Sequence, residues 1–173
     1  MSRSFAGGAS TDRVVFGTLA SYTVRSLSLW FYITAVDAGV DRIYHWGTDL
    51  TTYIETIGIN NATIRYAVGW ATTDGIWTVP TPSTGAWHHL AITYDGGSVL
   101  NDPLIRIDDV AQTVTEAATP TLTLDTGTLA VGFGNHNTLF NAAFNGRVEH
   151  PGLWNGTLTA GNVTDLKNGY PPN

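Results

Sequence analysis

From Ser26 to Ile33 the chain alternates. Leu27, Leu29, Phe31 and Ile33 are aliphatic or aromatic, and Ser26, Ser28, Trp30 and Tyr32 fall between them. Successive side chains of a strand point to opposite faces, so this run reads as a strand with an aliphatic face toward a core and a polar-aromatic face away from it. The same period fits Ile64, Tyr66, Val68 and Trp70 against Arg65, Ala67 and Gly69. It fits Leu90, Ile92 and Tyr94 against His89, Ala91 and Thr93. Further strands are expected at Ser4–Ala6, Arg13–Phe16, Asp41–Trp46, Tyr53–Ile59, Gly75–Val79, Leu104–Ile107, Gln112–Glu116, Thr128–Gly134 and Phe144–Glu149. Turn formers separate them: Asp74-Gly75, Pro80-Thr-Pro82, Asp95-Gly96-Gly97, Asn101-Asp-Pro103 and Asp125-Thr-Gly127.

Only the end of the chain reads as helix. Thr159 is an N-cap candidate, Ala160 to Leu166 would give one or two turns, and Asn168-Gly169 would close them. Many short strands with almost no helix predict an all-β fold, a two-sheet antiparallel jelly-roll sandwich with a short C-terminal helix. With no internal repeat, linker or low-complexity segment, residues 1–173 are expected to form one domain.

Composition narrows the function. Net charge is −6 and the seven arginines are scattered, so no basic face exists to bind nucleic acid by counterion release. No apolar run approaches the roughly 20 residues that span a bilayer, so no membrane partner is expected. The first residues lack the apolar core of a signal peptide. Without cysteine, disulfides and thiol chemistry are excluded. Charged residues are 13% of the chain against about 25% in an average domain, and the one lysine is Lys167. Such a surface is hydrated but offers little electrostatic resistance to self-association.

Three segments carry a resemblance. The first is Ser4-Phe-Ala-Gly-Gly-Ala-Ser10 with Asp12-Arg-Val-Val-Phe16. The second is Thr84-Gly-Ala-Trp-His-His-Leu-Ala-Ile-Thr-Tyr-Asp-Gly96. The third is Phe144-Asn-Gly-Arg-Val-Glu149 followed by Leu153-Trp-Asn155 and Leu158–Val163. In order and spacing they resemble the laminin G-like branch of the concanavalin A-like lectin/glucanase superfamily. The resemblance implies the same sandwich, and it implies glycan binding, adhesion, glycan hydrolysis or structural assembly as functions. Two departures stand out. The family's Val-Asp-Gly hairpin appears as Ile107-Asp-Asp109, and the closing strand carries Pro151, which predicts a bulge or an edge.

Glycanases on this fold need two carboxylates on one strand face, about 5 Å apart in retaining enzymes. The three glutamates, Glu55, Glu116 and Glu149, have no acidic residue two positions away. Asp108 and Asp109 are adjacent and would point apart, as would His88 and His89. No catalytic residue is therefore assigned, and His88 is read as a structural histidine pointing inward with Leu90. A Ser-His-Asp triad is assembled in space and leaves no trace in spacing. No Gly-x-Ser-x-Gly elbow points to one.

Two binding sites suggest themselves. Sugar rings stack on aromatic faces while carboxylates hold their hydroxyls. Trp70, Trp77, Asp74 and Tyr53 would make such a site for a glycan ligand; otherwise they fill the core or a subunit contact. Trp30, Trp87 and Trp154 lie on the family-like segments and are read as packing residues. Calcium needs six to eight oxygens. Asp49, Asp74, Asp95, Asp102 and Asn101 are loop residues of that kind, though no continuous motif gathers them and turn formation alone explains them. No other cofactor is implied.

The scarcity of lysine points elsewhere. Open sandwiches have edge strands that natural proteins guard with lysine, bulges or a covering element. A Cys-free, Lys-poor chain rich in Thr, Gly and Asn resembles small structural proteins of phage particles in composition. The expected function is a non-enzymatic structural or recognition module, a head-decoration or fibre component of a virion. It would pair with copies of itself or with other coat proteins and lie on the virion surface or outside the cell after lysis. A carbohydrate-binding module is the alternative, and a glycanase the remote one.

Overall fold

The computed structural model describes residues 3–8, 12–37, 39–49, 51–135 and 142–169. These form thirteen strands and one helix. One layer runs β10 (Val110–Ala111), β9 (Leu104–Ile107), β8 (Trp87–Asp95), β3 (Val24–Ile33), β13 (Ala143–Trp154) and β1 (Arg3–Gly8). The other runs β2 (Val14–Ala20), β12 (Thr128–Phe133), β4 (Val40–Gly47), β5 (Tyr53–Asn60), β6 (Thr63–Val68), β7 (Gly75–Pro80) and β11 (Thr115–Ala118). A single parallel bridge, Ala143 to Arg42, joins the layers; the other strand pairings are antiparallel. The architecture is the jelly-roll sandwich the alternation predicts.

Register explains the core. Leu27, Leu29 and Phe31 on β3 pair with Ile92, Leu90 and His88 on β8. Facing them from the second layer stand Tyr44, Ile57, Tyr66 and Trp77, one cross-strand row in which each side chain is fully buried. The polar-aromatic face of β3 is not solvated as expected. Ser26, Ser28 and Trp30 are also buried, because the chain after β13 and helix α1 (Ala160–Gly169) lie over that face. The Leu158 N–H donates to both Ser26 Oγ and Thr93 Oγ1, which fixes the approach to the helix. At its start Thr159 Oγ1 accepts from the Asn162 N–H, and Asn162 Oδ1 accepts from the Thr159 N–H. That reciprocal cap is why the helix begins where Thr159 predicts.

Two elements differ from expectation. Of the segment expected as Gln112–Glu116 only Thr115 and Glu116 are strand, in β11; the two-residue β10 ends just before it, and β10 and β11 join different layers. The closing strand does not end at Glu149. His150 adopts a positive φ of 48°, the register shifts between Glu149 and Gly152, and the strand continues to Trp154. Pro151 sits in that bulge, where its missing N–H interrupts no ladder bond.

Candidate functional site

Strand β7 settles the aromatic platform. Trp77 pairs across to Tyr66 and is fully buried, and its indole rests on Tyr94 with ring centroids 5.1 Å apart. Its Nε1–H donates to Asp102 Oδ1 at 2.7 Å. Trp70 is 5% exposed and belongs to the same core. Neither ring offers a face to a sugar, which corrects their assignment as a stacking site. The cause is parity: Trp70 continues the Ile64–Tyr66–Val68 face and Trp77 precedes Val79 on the inner face. Tyr53 and Asp74 do come together, with the phenol donating to Asp74 Oδ2 at 2.6 Å. Burial, then Asp74, pushes the Tyr53 hydroxyl up to about 12. Asp74 Oδ1 also accepts from the Trp70 N–H, so this carboxylate braces the turn between β6 and β7.

The proposed calcium oxygens are dispersed in the same way. Asp49 Oδ1 accepts from the Thr51 and Thr52 N–H groups, Asp95 Oδ1 from Gly97, and Asn101 Nδ2 donates to the Asp95 carbonyl. Each works as a turn former. Among the described residues no three His, Asp or Glu side chains gather in a metal-binding geometry.

Two polar sets were not assigned from the sequence. In the interior, Arg25 Nε meets Glu55 Oε2 at 2.5 Å with both side chains 2% exposed. Burial drives the Glu55 carboxyl upward and Arg25 opposes it. Glu149 lies on the opposite face of the first layer and Glu116 on exposed β11, so the three glutamates share no site. At the surface, His88 Nδ1 lies 2.7 Å from Asp108 Oδ2 and its Nε2 lies 3.2 Å from Ser83 Oγ, the contact order of a hydrolytic triad. The Ser83 carbonyl, which can only accept, stands 3.1 Å from the same Nε2. The Nε2 contact is thus shared between the hydroxyl and the main chain of one residue. Asp108 Oδ1 meanwhile accepts from the His89 N–H, so the set ties the loop before β8 to the β9–β10 turn.

An apolar slot opens between the layers. Phe16 and Leu19 of β2, Val131 and Phe133 of β12, and Pro151 and Leu153 of β13 line a groove of about 190 Å³. A second groove, near Phe5 and Val148, continues it and shares Phe16, Phe133 and Pro151. A register shift on β2 leaves Phe16 unopposed, its ring edge-on to Phe133 and 64% exposed. Both Val15, at 43%, and Leu19, at 36%, are exposed beside it.

This fold is shared widely. The native heptameric SAP-like pentraxin of Limulus polyphemus superposes with a TM-score of 0.67 at 13% identity, over 95% of this chain and 80% of that one. The binding domain of Paraclostridial Mosquitocidal Protein 1 gives 0.68 at 13% identity, over 94% of this chain but only 42% of its own. Domain 4 of AbnA, an extracellular arabinanase of Geobacillus stearothermophilus solved with arabinotriose, gives 0.56 at 20% identity, over 89% and 71%. Among curated proteins none matches in sequence. A laminin G-type family model does match, from residue 6 to residue 164, and the chain therefore belongs to the concanavalin A-like lectin/glucanase superfamily.

Proposed function

We propose that the chain is a non-enzymatic recognition module that serves as a surface component of a larger assembly, such as a phage head-decoration or fibre protein. One observation carries this reading: β2 is a seven-residue strand without a charge, paired among the described residues on one side only, to β12, with Phe16 exposed beside an apolar slot. Natural edges are rarely left so, and an exposed apolar patch of this kind marks an interaction surface. The dispersal of the glutamates speaks against the fold's usual hydrolytic pair. The fold neighbours include two binding domains and, separately, a heptameric pentraxin. The virion setting and release by lysis rest on composition.

Sedimentation velocity over a wide concentration range tests the surface. The chain is expected to self-associate, and Phe16→Ser to weaken this without changing the melting temperature. Mass spectrometry of purified particles tests the setting. A chain that stays monomeric and is found in no particle would overturn the reading.

A further inference from the structure

We propose that Ser83 is a nucleophilic hydroxyl that accepts an acyl group from an activated ester, with His88 as its base and Asp108 positioning that base. The loop that carries Ser83 is held on both sides. The Thr81 N–H donates to the Ala62 carbonyl and the Gly85 N–H to the Ile33 carbonyl, each at 2.9 Å. Pro82, just before the serine, fixes a further φ angle. Ser83 itself is exposed, so a reagent in solvent can reach its hydroxyl. The His88 ring lies against Phe31, with centroids 5.9 Å apart, and only 12% of its side chain is exposed. Asp108 is clamped to the same strand by two main-chain bonds. Its Oδ1 accepts from the His89 N–H at 2.9 Å, and its own N–H donates to the His89 carbonyl at 2.8 Å. That leaves Oδ2 for His88 Nδ1, at 2.7 Å.

These contacts set the tautomer. A carboxylate only accepts, so Nδ1 carries the proton and the neutral ring keeps its lone pair on Nε2. Two atoms of Ser83 stand near that lone pair, Oγ at 3.2 Å and the carbonyl oxygen at 3.1 Å. Only the hydroxyl has a proton to give. Once Nε2 has taken it, the carbonyl can accept from the new N–H and steady the imidazolium. In the acylation step Oγ bonds to the acyl carbon and its proton passes to Nε2. The ester C–O bond breaks, and the alcohol leaves with that proton. The Gly85 N–H is given to the Ile33 carbonyl and does not serve the developing oxyanion, a contact that is usually worth about a hundredfold or more in rate. The donor must therefore bring a good leaving group, as an aryl ester does. A single acylation is a modification of the chain. It goes beyond the recognition role without depending on it, and none of the three residues lines the β2 slot.

Incubation with p-nitrophenyl acetate, read by p-nitrophenol release and intact-protein mass, tests the acceptor. A fluorophosphonate, which loses fluoride to a serine hydroxyl, gives a stable adduct for peptide mapping. One adduct per chain is expected, on Ser83, and none in Ser83→Ala. His88→Gln should slow labelling about a hundredfold or more, the usual contribution of a general base. Asp108→Asn separates positioning from bracing. Its Oδ1 can still accept from the His89 N–H, while its amide would donate to Nδ1 and move the ring proton to Nε2. Labelling should then fall by a similar factor at an unchanged melting temperature, and the ring ¹⁵N shifts of His88 should report the exchanged tautomer. No adduct with either reagent, adducts spread over several serines, or an adduct on Lys167 or a histidine in place of Ser83 would overturn the proposal. So would labelling that His88→Gln or Asp108→Asn leaves unchanged.

Discussion

Arg25 and Glu55 form an ion pair in a place where most sandwiches put aliphatic side chains. Arg25 also donates from Nη1 to the Tyr22 carbonyl at 2.6 Å and lies 5.7 Å from the Tyr94 ring centroid. Removing one partner strands the other charge in the interior, at a cost of about 3–5 kcal/mol, whereas replacing both with apolar groups is often neutral. Urea denaturation is therefore expected to show Arg25→Met strongly destabilised and Arg25→Met with Glu55→Leu largely restored. A double variant no more stable than the single would show that the pair is not the source. His89 makes a second residue-scale prediction. Beneath the C-terminal segment its Nε2 contacts Ser28 Oγ at 2.8 Å, and Trp30, Asp108, Asp109 and Lys167 surround it. Burial lowers its pKa from 6.5 to about 4, with Lys167 assisting and the two aspartates opposing. Between those values the unfolded chain binds a proton that the folded chain refuses. Stability should fall as pH drops through that window and level off below it, by roughly 3 kcal/mol in all. His89→Gln keeps a side chain able to meet Ser28 and should flatten that slope; an unchanged slope would assign the effect elsewhere. Burial of Trp70 was legible, since it ends an alternating apolar face. The half-exposure of Trp154 was not, because it depends on how a helix six residues later settles on the sheet.

At the scale of elements, the turn between β9 and β10 does two jobs. Asp108 and Asp109 both have positive φ, 54° and 73°, the conformation of a two-residue hairpin turn that favours glycine at its second position. The family's glycine at that point is Asp109 here, and its carboxylate explains the exchange. Its Oδ2 accepts from Thr164 Oγ1 at 2.6 Å, and the Lys167 ammonium reaches the Asp108 carbonyl at 2.9 Å. The helix has one fully buried side chain, Val163, so this latch holds an element with little apolar anchorage. Asp109→Gly should relax the turn yet free the helix. Hydrogen exchange of residues 160–169 is expected to speed up severalfold while the β9 amides keep their protection. Equal protection of the helix in variant and parent would place the anchorage outside Asp109. The loss of glycine was visible in Ile107-Asp-Asp109, but its purpose was not. Local sequence states which φ a turn requires and leaves open which distant Thr will meet the side chain. The same limit applies to β13: Pro151 announced a bulge, and only the pairing with β3 shows that the strand resumes beyond it.

For the whole molecule, the edges are unequal. In the first layer β10 is only two residues long, and β1 carries Arg3. In the second layer β11 has four residues, a register shift and Glu116. Each is short, bulged or charged, which are the usual guards against strand addition. Strand β2 is the longest of the four and has no charged residue, and its bulge turns Phe16 outward. The low charge fraction was plain in the composition; which edge it leaves open depended on which strand the fold places outermost. An association driven by this surface should behave as apolar contacts do. Raising salt screens the repulsion between chains of net charge −6 and does not weaken the contact itself. Self-association measured by sedimentation should therefore persist or strengthen from low to high salt, and Phe16→Lys, which restores the missing guard, should abolish it. Dissociation of the wild-type chain by salt would instead assign the contact to ion pairs and remove β2 from the interface.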